Sequence, residues 1–126
     1  MIRYTYNRQI VPPAPFVHVT LRCAETGKEV NAVPAQLDCG ADRTVLPANF
    51  VEDLGLLPLD EIPIGGFGGH VSLMRTYRVE LAVHQFPPLM IEVITHADEP
   101  FILLGRDVLN QLRLLLDGPQ LLLEIG

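Results

Sequence analysis

The sequence predicts an all-β fold, a compact barrel or sandwich, on three observations. Short runs in which apolar and polar residues alternate recur along the chain, with the period of half-buried strands. Turn-forming residues separate these runs at close intervals. Only two segments carry a helical pattern. The 126 residues fit one domain, residues 1–126, in which 1–15 reads as a ragged N-terminal arm.

The arm ends in VPPAP (11–15), the only linker-like piece. In 16–23, Val17, Val19, Leu21 and Cys23 alternate with His18, Thr20 and Arg22, which predicts a strand. Glu25, Thr26, Gly27 and Lys28 make a hairpin turn, and the return strand, 30–38, ends at Asp38. Pro34 within it indicates a sheet edge or a bulge. Segment 47–54 predicts a short helix: Pro47 suits a first turn, Phe50 and Leu54 lie four apart on one face, and Gly55 suits the position after the end.

LPLDEIP (57–63) reads as a loop leading into the glycine-rich IGGFGGH (64–70). Val71, Leu73, Tyr77, Val79, Leu81 and Val83 then keep a period of two, predicting one long strand. After a turn at 84–88 come a strand at 89–95 and a loop at 96–100. FILLG (101–105) is a continuous apolar run, as expected of a strand buried on both faces. RDVLNQL follows as a short helix with Asp107 near its start, and 113–125 closes as a hairpin about Asp117, Gly118 and Pro119.

Composition excludes several functions. A net charge of −6 with no cluster of Lys or Arg lacks the footprint of a nucleic-acid binder. Cys23 and Cys39 are too few for a disulfide scaffold and have no C-x-x-C spacing, so a reducing compartment, the cytoplasm, is expected. No run reaches the length of a membrane span and no leader-like segment opens the chain, which predicts a soluble, unprocessed protein with no membrane partner. His18, His70, His84 and His96 show no metal-ligand spacing, and no phosphate loop occurs; neither a metal nor another cofactor is expected. A hydrophobic fraction of 48% is high for a small domain and predicts that some apolar surface meets a partner.

Three features carry chemistry. DCGADRTVL (38–46) sets an acid at a strand end before a glycine that permits a tight turn or a close approach. IGGFGG places glycines on both sides of Phe67, and ILLGRD joins an apolar strand to a charged helix start. Singly, these are a turn residue, a flexible connector and a helix cap. Together, in this order, they resemble the retropepsin-like aspartic proteases, the retroviral-type proteases and their single-domain relatives. Asp38, Gly40, Ala41, Asp42, Thr44, Val45 and Leu46 match that family's active-site pattern. Residues 64–69 match its flap, and Leu103, Leu104, Gly105, Arg106 and Asp107 match its apolar-apolar-Gly-Arg-Asp segment. The resemblance spans roughly residues 16–125 and implies a closed acid-protease β-barrel with one or two short helices, active as a two-fold homodimer on peptide or protein substrates.

The chemistry sets the same requirement. Carboxylate-driven hydrolysis needs one ionised group to deprotonate water and one protonated group to polarise the carbonyl, and two adjacent carboxylates share one proton. Asp98, Asp107 and Asp117 do not lie in a second Asp-x-Gly-Ala context, so Asp38 is expected to meet its own symmetry mate at a dimer axis. By the resemblance, Cys39, Gly40 and Ala41 form the active-site loop, and Gly40, Asp42 and Val45 contact substrate. Asp42 also pairs with Arg106, either at the cleft or as a purely structural ion pair. Gly65, Gly66, Phe67, Gly68 and Gly69 close over the peptide, with Phe67 at the tip. Thr44, Gly105, Arg106 and Asp107 support the site from within, and Arg43 lies at the cleft rim or is merely solvated. One position departs from the family: Cys39 stands where Thr or Ser braces the two loops across the axis, and a thiol is the weaker hydrogen-bonding group. That departure motivates the alternative, a dimerisation or peptide-binding module with weak or no proteolytic activity.

Overall fold

A computed structural model describes residues 1–65 and 67–126, with Phe67 described by its backbone. Gly66 and the Phe67 side chain, both assigned above to the flap, lie outside the described residues. Among the described residues ten strands are seen: β1 (Ile2–Thr5), β2 (Phe16–Arg22), β3 (Glu29–Leu37), β4 (Val45–Pro47), β5 (Pro58–Gly65), β6 (Val71–Val83), β7 (Leu89–His96), β8 (Ile102–Leu104), β9 (Leu114–Asp117) and β10 (Leu122–Ile125). Two short helices, α1 (Asn49–Leu54) and α2 (Arg106–Leu109), complete the order, with a single 3-10 turn at Phe67–Gly69.

The strands β2-β3-β8-β4-β7-β6 run side by side, and β6 pairs back onto β2, so the sheet closes into a six-stranded barrel. Closure removes the free edges that an open sheet would expose. Alternation fills the interior: Val17, Val19 and Leu21 of β2, Val79, Leu81 and Val83 of β6, and Ile102 and Leu104 of β8 are buried in one cluster. Leu103 of the expected two-face-buried strand is only half-buried: alternation puts it on the face opposite buried Ile102 and Leu104.

Pro34 behaves as its chemistry requires. Only Ala35, Gln36 and Leu37 of β3 pair with β8, so Pro34 lies where its missing N–H is not needed by that neighbour. The β2–β3 register shifts between Val19 and Leu21, opposite Ala32, which has φ of 53°. α1 begins two residues later than expected, since Pro47 ends β4, and Gly55 closes it in the left-handed conformation, φ 69°.

Two expectations are corrected. The stretch read as a loop, 57–63, is mostly strand β5, paired with β6 from Pro58↔Tyr77 to Gly65↔Val71. Its two prolines are tolerated because β5 is the outermost strand, where an N–H on the open side has no ladder partner to lose. The ragged arm is also built into the fold. β1 pairs with β10, Asn7 and Ala14 bridge each other, and Pro15 O accepts from Leu37 N at 3.1 Å. Read alone, the arm had no visible partner, because its ladder is completed from the far end of the chain.

Candidate active site

Asp38 sits where two parallel strands end together. β3 and β8 pair from Ala35↔Ile102 to Leu37↔Leu104, and Asp38 N continues the ladder by donating to Leu104 O at 2.9 Å. The chain then turns sharply: Ala41 N donates to Asp38 O at 3.2 Å, and Gly40 N donates to Asp38 Oδ1 at 3.1 Å. That second bond orients the carboxylate, leaving its other oxygen unengaged by the described residues. Asp38 is half-buried, while Cys39 and Gly40 are exposed. The loop therefore presents its acid outward from a buried base.

The Gly105-Arg106-Asp107 segment holds this loop from beneath. Arg106 N donates to Ala41 O at 2.8 Å, and Arg106 Nη1 donates to Cys39 O at 2.7 Å. Asp107 Oδ1 accepts from Thr44 Oγ1 at 2.8 Å and its Oδ2 from Thr44 N at 3.0 Å. Thr44 is fully buried, and its Oγ1 in turn accepts from Gly105 N at 3.2 Å. These bonds satisfy buried polar groups that would otherwise be costly. Asp107→Ala is expected to destabilise the fold by about 2 kcal/mol or more, because it strands the Thr44 N–H and hydroxyl; chemical denaturation measures the loss.

Gly105 adopts an extended conformation, φ −85° and ψ −178°, so backbone freedom is not why glycine is there. A Cβ would lie 2.5 Å from the Arg43 carbonyl carbon and 2.7 Å from its oxygen. Close approach of two backbones explains the glycine.

The expected Asp42–Arg106 ion pair does not occur among the described residues, and Asp42 is exposed. Arg106 reaches the Cys39 carbonyl instead, a partner fixed by the loop backbone. Arg43, left open between rim and solvent, bonds Glu92 through Oε1 at 3.3 Å and through its carbonyl at 3.4 Å. Its charge is thus paired within the chain. Val45 is half-buried between Ile94 of β7 and Leu103 of β8. Asp42, Arg43, Ile91, Glu92 and Asp107 line a shallow pocket beside the loop. Ile91 and Glu92 escaped the sequence reading because a strand pattern does not reveal which neighbour a strand will adopt.

The hairpin arms β5 and β6 project from the barrel, since β6 residues before Thr76 pair only with β5. Beyond Gly65 the tip continues through Phe67–Gly69, where Gly68 and Gly69 have φ of 82° and 75°. L-side chains rarely adopt these angles, so glycine allows this tip geometry. No group of acidic, His or Cys residues suited to a metal occurs among the described residues. Among the described residues no helix is long and apolar enough to cross a membrane.

Comparison with known proteins gives a consistent picture. The retroviral aspartyl protease family matches residues 13–117. The chain is similar in structure to a retropepsin-like aspartic protease from Rickettsia conorii (TM-score 0.65, 16% identity, covering 98% of this chain and 88% of that one). The EIAV protease complexed with the inhibitor HBY-793 gives a TM-score of 0.57 at 24% identity, covering 86% and 93%. The retroviral protease-like domain of Ddi1 from Leishmania major gives 0.51 at 17% identity, covering 88% of each. At these identities the likeness establishes the fold. No curated protein sequence matches significantly.

Proposed function

Since the chain belongs to the retroviral aspartyl protease family, we propose that it is an aspartic endopeptidase whose active site is completed by a second copy. The observation that carries this reading is Asp38 itself: an acid at the paired ends of β3 and β8, oriented by Gly40 N and presented on an exposed loop. One chain supplies one such acid. Two, brought to a two-fold axis, hold a single proton between them.

The reaction follows from that pair. The ionised carboxylate takes a proton from water, whose oxygen bonds to the scissile carbonyl carbon, while the protonated carboxyl donates to the carbonyl oxygen. The resulting tetrahedral diol collapses as its C–N bond breaks and the amine leaves with a proton returned from the pair. No covalent intermediate and no cofactor is involved. Gly40, Asp42 and Val45 line the substrate path, and the peptide lies extended under the flap, with Gly65, Gly66, Phe67, Gly68 and Gly69 covering it and excluding water. An exposed free thiol at Cys39 suits a reducing, cytoplasmic setting.

Peptide-library cleavage measured over a range of protein concentrations tests the reading. Specific activity is expected to rise with concentration as dimers form, and flat specific activity in a chain shown to dissociate would count against it. Cys39 gives a second prediction. Cys39→Thr supplies a stronger hydrogen-bonding group to the exposed loop and is expected to lower the concentration needed for half-maximal activity by about threefold. An unchanged concentration profile would remove the brace at this position.

A further inference from the structure

The shallow pocket beside the Asp38 loop carries charges that the cleavage chemistry does not use. Asp42, Arg43, Ile91, Glu92 and Asp107 line it, three carboxylates and one guanidinium around one apolar side chain. Its volume is about 290 Å³, space for one long side chain rather than for a whole enclosed ligand. The carboxylates do not form a metal-holding group among the described residues. Two of the three are already engaged. Asp107 accepts from Thr44 N and Thr44 Oγ1, at 3.0 and 2.8 Å, and from Val108 N at 3.0 Å. Glu92 holds Arg43 Nη1 through two acceptors, its Oε1 at 3.3 Å and its carbonyl oxygen at 3.4 Å.

Asp42 is the charge left over. It is exposed, forms no ion pair among the described residues, and directly follows Ala41, whose N–H bonds Asp38 O. The cations of its own segment and of the supporting segment are engaged elsewhere, Arg43 on Glu92 and Arg106 on the Cys39 carbonyl at 2.7 Å. Arg78 stands opposite Glu92 in the β6–β7 register but does not line the pocket.

We infer that this pocket takes the cationic side chain of a lysine or arginine in the bound peptide, paired with the Asp42 carboxylate, and that Glu92 is a specificity-determining residue because it keeps Arg43 from repelling that cation. This rests on the reading that the Asp38 loop receives a peptide for cleavage, and it names the substrate class. A long basic side chain lays its methylene stem on apolar surface and keeps its charged head at a polar rim, which Ile91 and Asp42 provide. An acidic side chain fits worse. To pair with Arg43 it must displace Glu92, which then stands without its cation in the same pocket as Asp42 and Asp107. An apolar side chain gains Ile91 alone and covers the Asp42 carboxylate without supplying a partner. The Arg43 and Glu92 side chains are 34% and 39% exposed, so solvent weakens every charge effect here and the preference is a matter of degree.

The test uses a mixed peptide library sorted into sets in which one position at a time is lysine, norleucine or glutamate. Norleucine keeps an unbranched stem like lysine's and removes the charge. At one position the parent is expected to cleave the lysine set with a kcat/KM about fivefold above the norleucine set, with glutamate lowest. Ratios are taken within each variant, so a change in overall activity cancels. D42N is expected to bring the lysine-to-norleucine ratio down to about one. E92Q, which frees Arg43, is expected to lower that ratio and to raise the glutamate-to-norleucine ratio by about fivefold. A merely structural role for Glu92 would not move lysine and glutamate in opposite directions. A parental lysine ratio retained in D42N, or a glutamate ratio unmoved in E92Q, overturns the inference. Binding of the same sets, followed by fluorescence anisotropy, separates it from the reading beneath it. A lysine preference in binding that D42N loses, with no cleavage by any sample, parent included, would leave the pocket standing and remove the protease reading. Cleavage without a lysine preference at any position would do the reverse.

Discussion

An Asp38→Asn variant is expected to fold and associate as the parent chain does and to lose peptide cleavage by about 10³-fold or more. The substitution is nearly isosteric. Asn Oδ1 can still accept from Gly40 N, a contact of 3.1 Å in the parent, and the bond from Asp38 N to Leu104 O involves only backbone. What disappears is the group that must alternate between ionised and protonated forms. In a two-copy site both acids vanish at once, so no carboxylate remains to activate water. A peptide-binding module would respond differently, since an amide in place of a carboxylate leaves apolar and backbone contacts to an extended peptide intact. Cleavage assayed with binding of the same peptides therefore separates the two. Residual cleavage above about a tenth of the parent's would remove Asp38 as the catalytic group.

Much of this architecture could be read from the chain before any coordinates. Strands β2 and β6 announce themselves by alternation, because each has one face in the barrel core and one outside it. β5 was missed for the opposite reason: its exposure pattern is mostly solvent on both faces, and Pro58 and Pro63 mask the little periodicity it has. β1 was missed because a four-residue strand at one terminus gains its meaning only from β10 at the other, 117 residues away at Thr5↔Leu122 and farther at the other pairs.

The site divides similarly. Asp38, Gly40, Thr44, Gly105 and Asp107 were picked out by the joint order of three motifs, none of which is decisive alone, and the structure joins Gly40 to Asp38 and Thr44 to Gly105 and Asp107. The Arg106 partner was not, because a long side chain selects among nearby acceptors by geometry that sequence does not encode; the Cys39 carbonyl won over the Asp42 carboxylate. The Arg43–Glu92 pair was equally hidden, since it depends on β4 lying parallel to β7. Both surfaces are exposed enough that such pairs add little stability, which is why their choice leaves little trace in composition.

Gly105→Ala is expected to be the most damaging of the conservative substitutions, lowering stability by about 3 kcal/mol or more. The added methyl would stand 2.5, 2.7 and 3.0 Å from the carbonyl carbon, oxygen and nitrogen of Arg43. All three are backbone atoms, so no rotamer change relieves the overlap. The contrast with Gly40 is instructive: a Cβ there meets only Asp38 Oδ1 at 3.3 Å, a side-chain atom that can turn aside. At Gly105, relief requires the two chain segments to separate, and the bonds joining them are those that hold the Asp38 loop. Gly105 N donates to Thr44 Oγ1, Arg106 N to Ala41 O and Thr44 N to Asp107 Oδ2. Separation stretches all of them together and leaves buried Thr44 without its partners. Denaturant unfolding should therefore show a lower midpoint at unchanged slope, with cleavage falling in parallel even at concentrations that saturate the parent dimer. A midpoint within about 1 kcal/mol of the parent's would mean that the Arg43 backbone yields freely, and that the site is not held by this close approach.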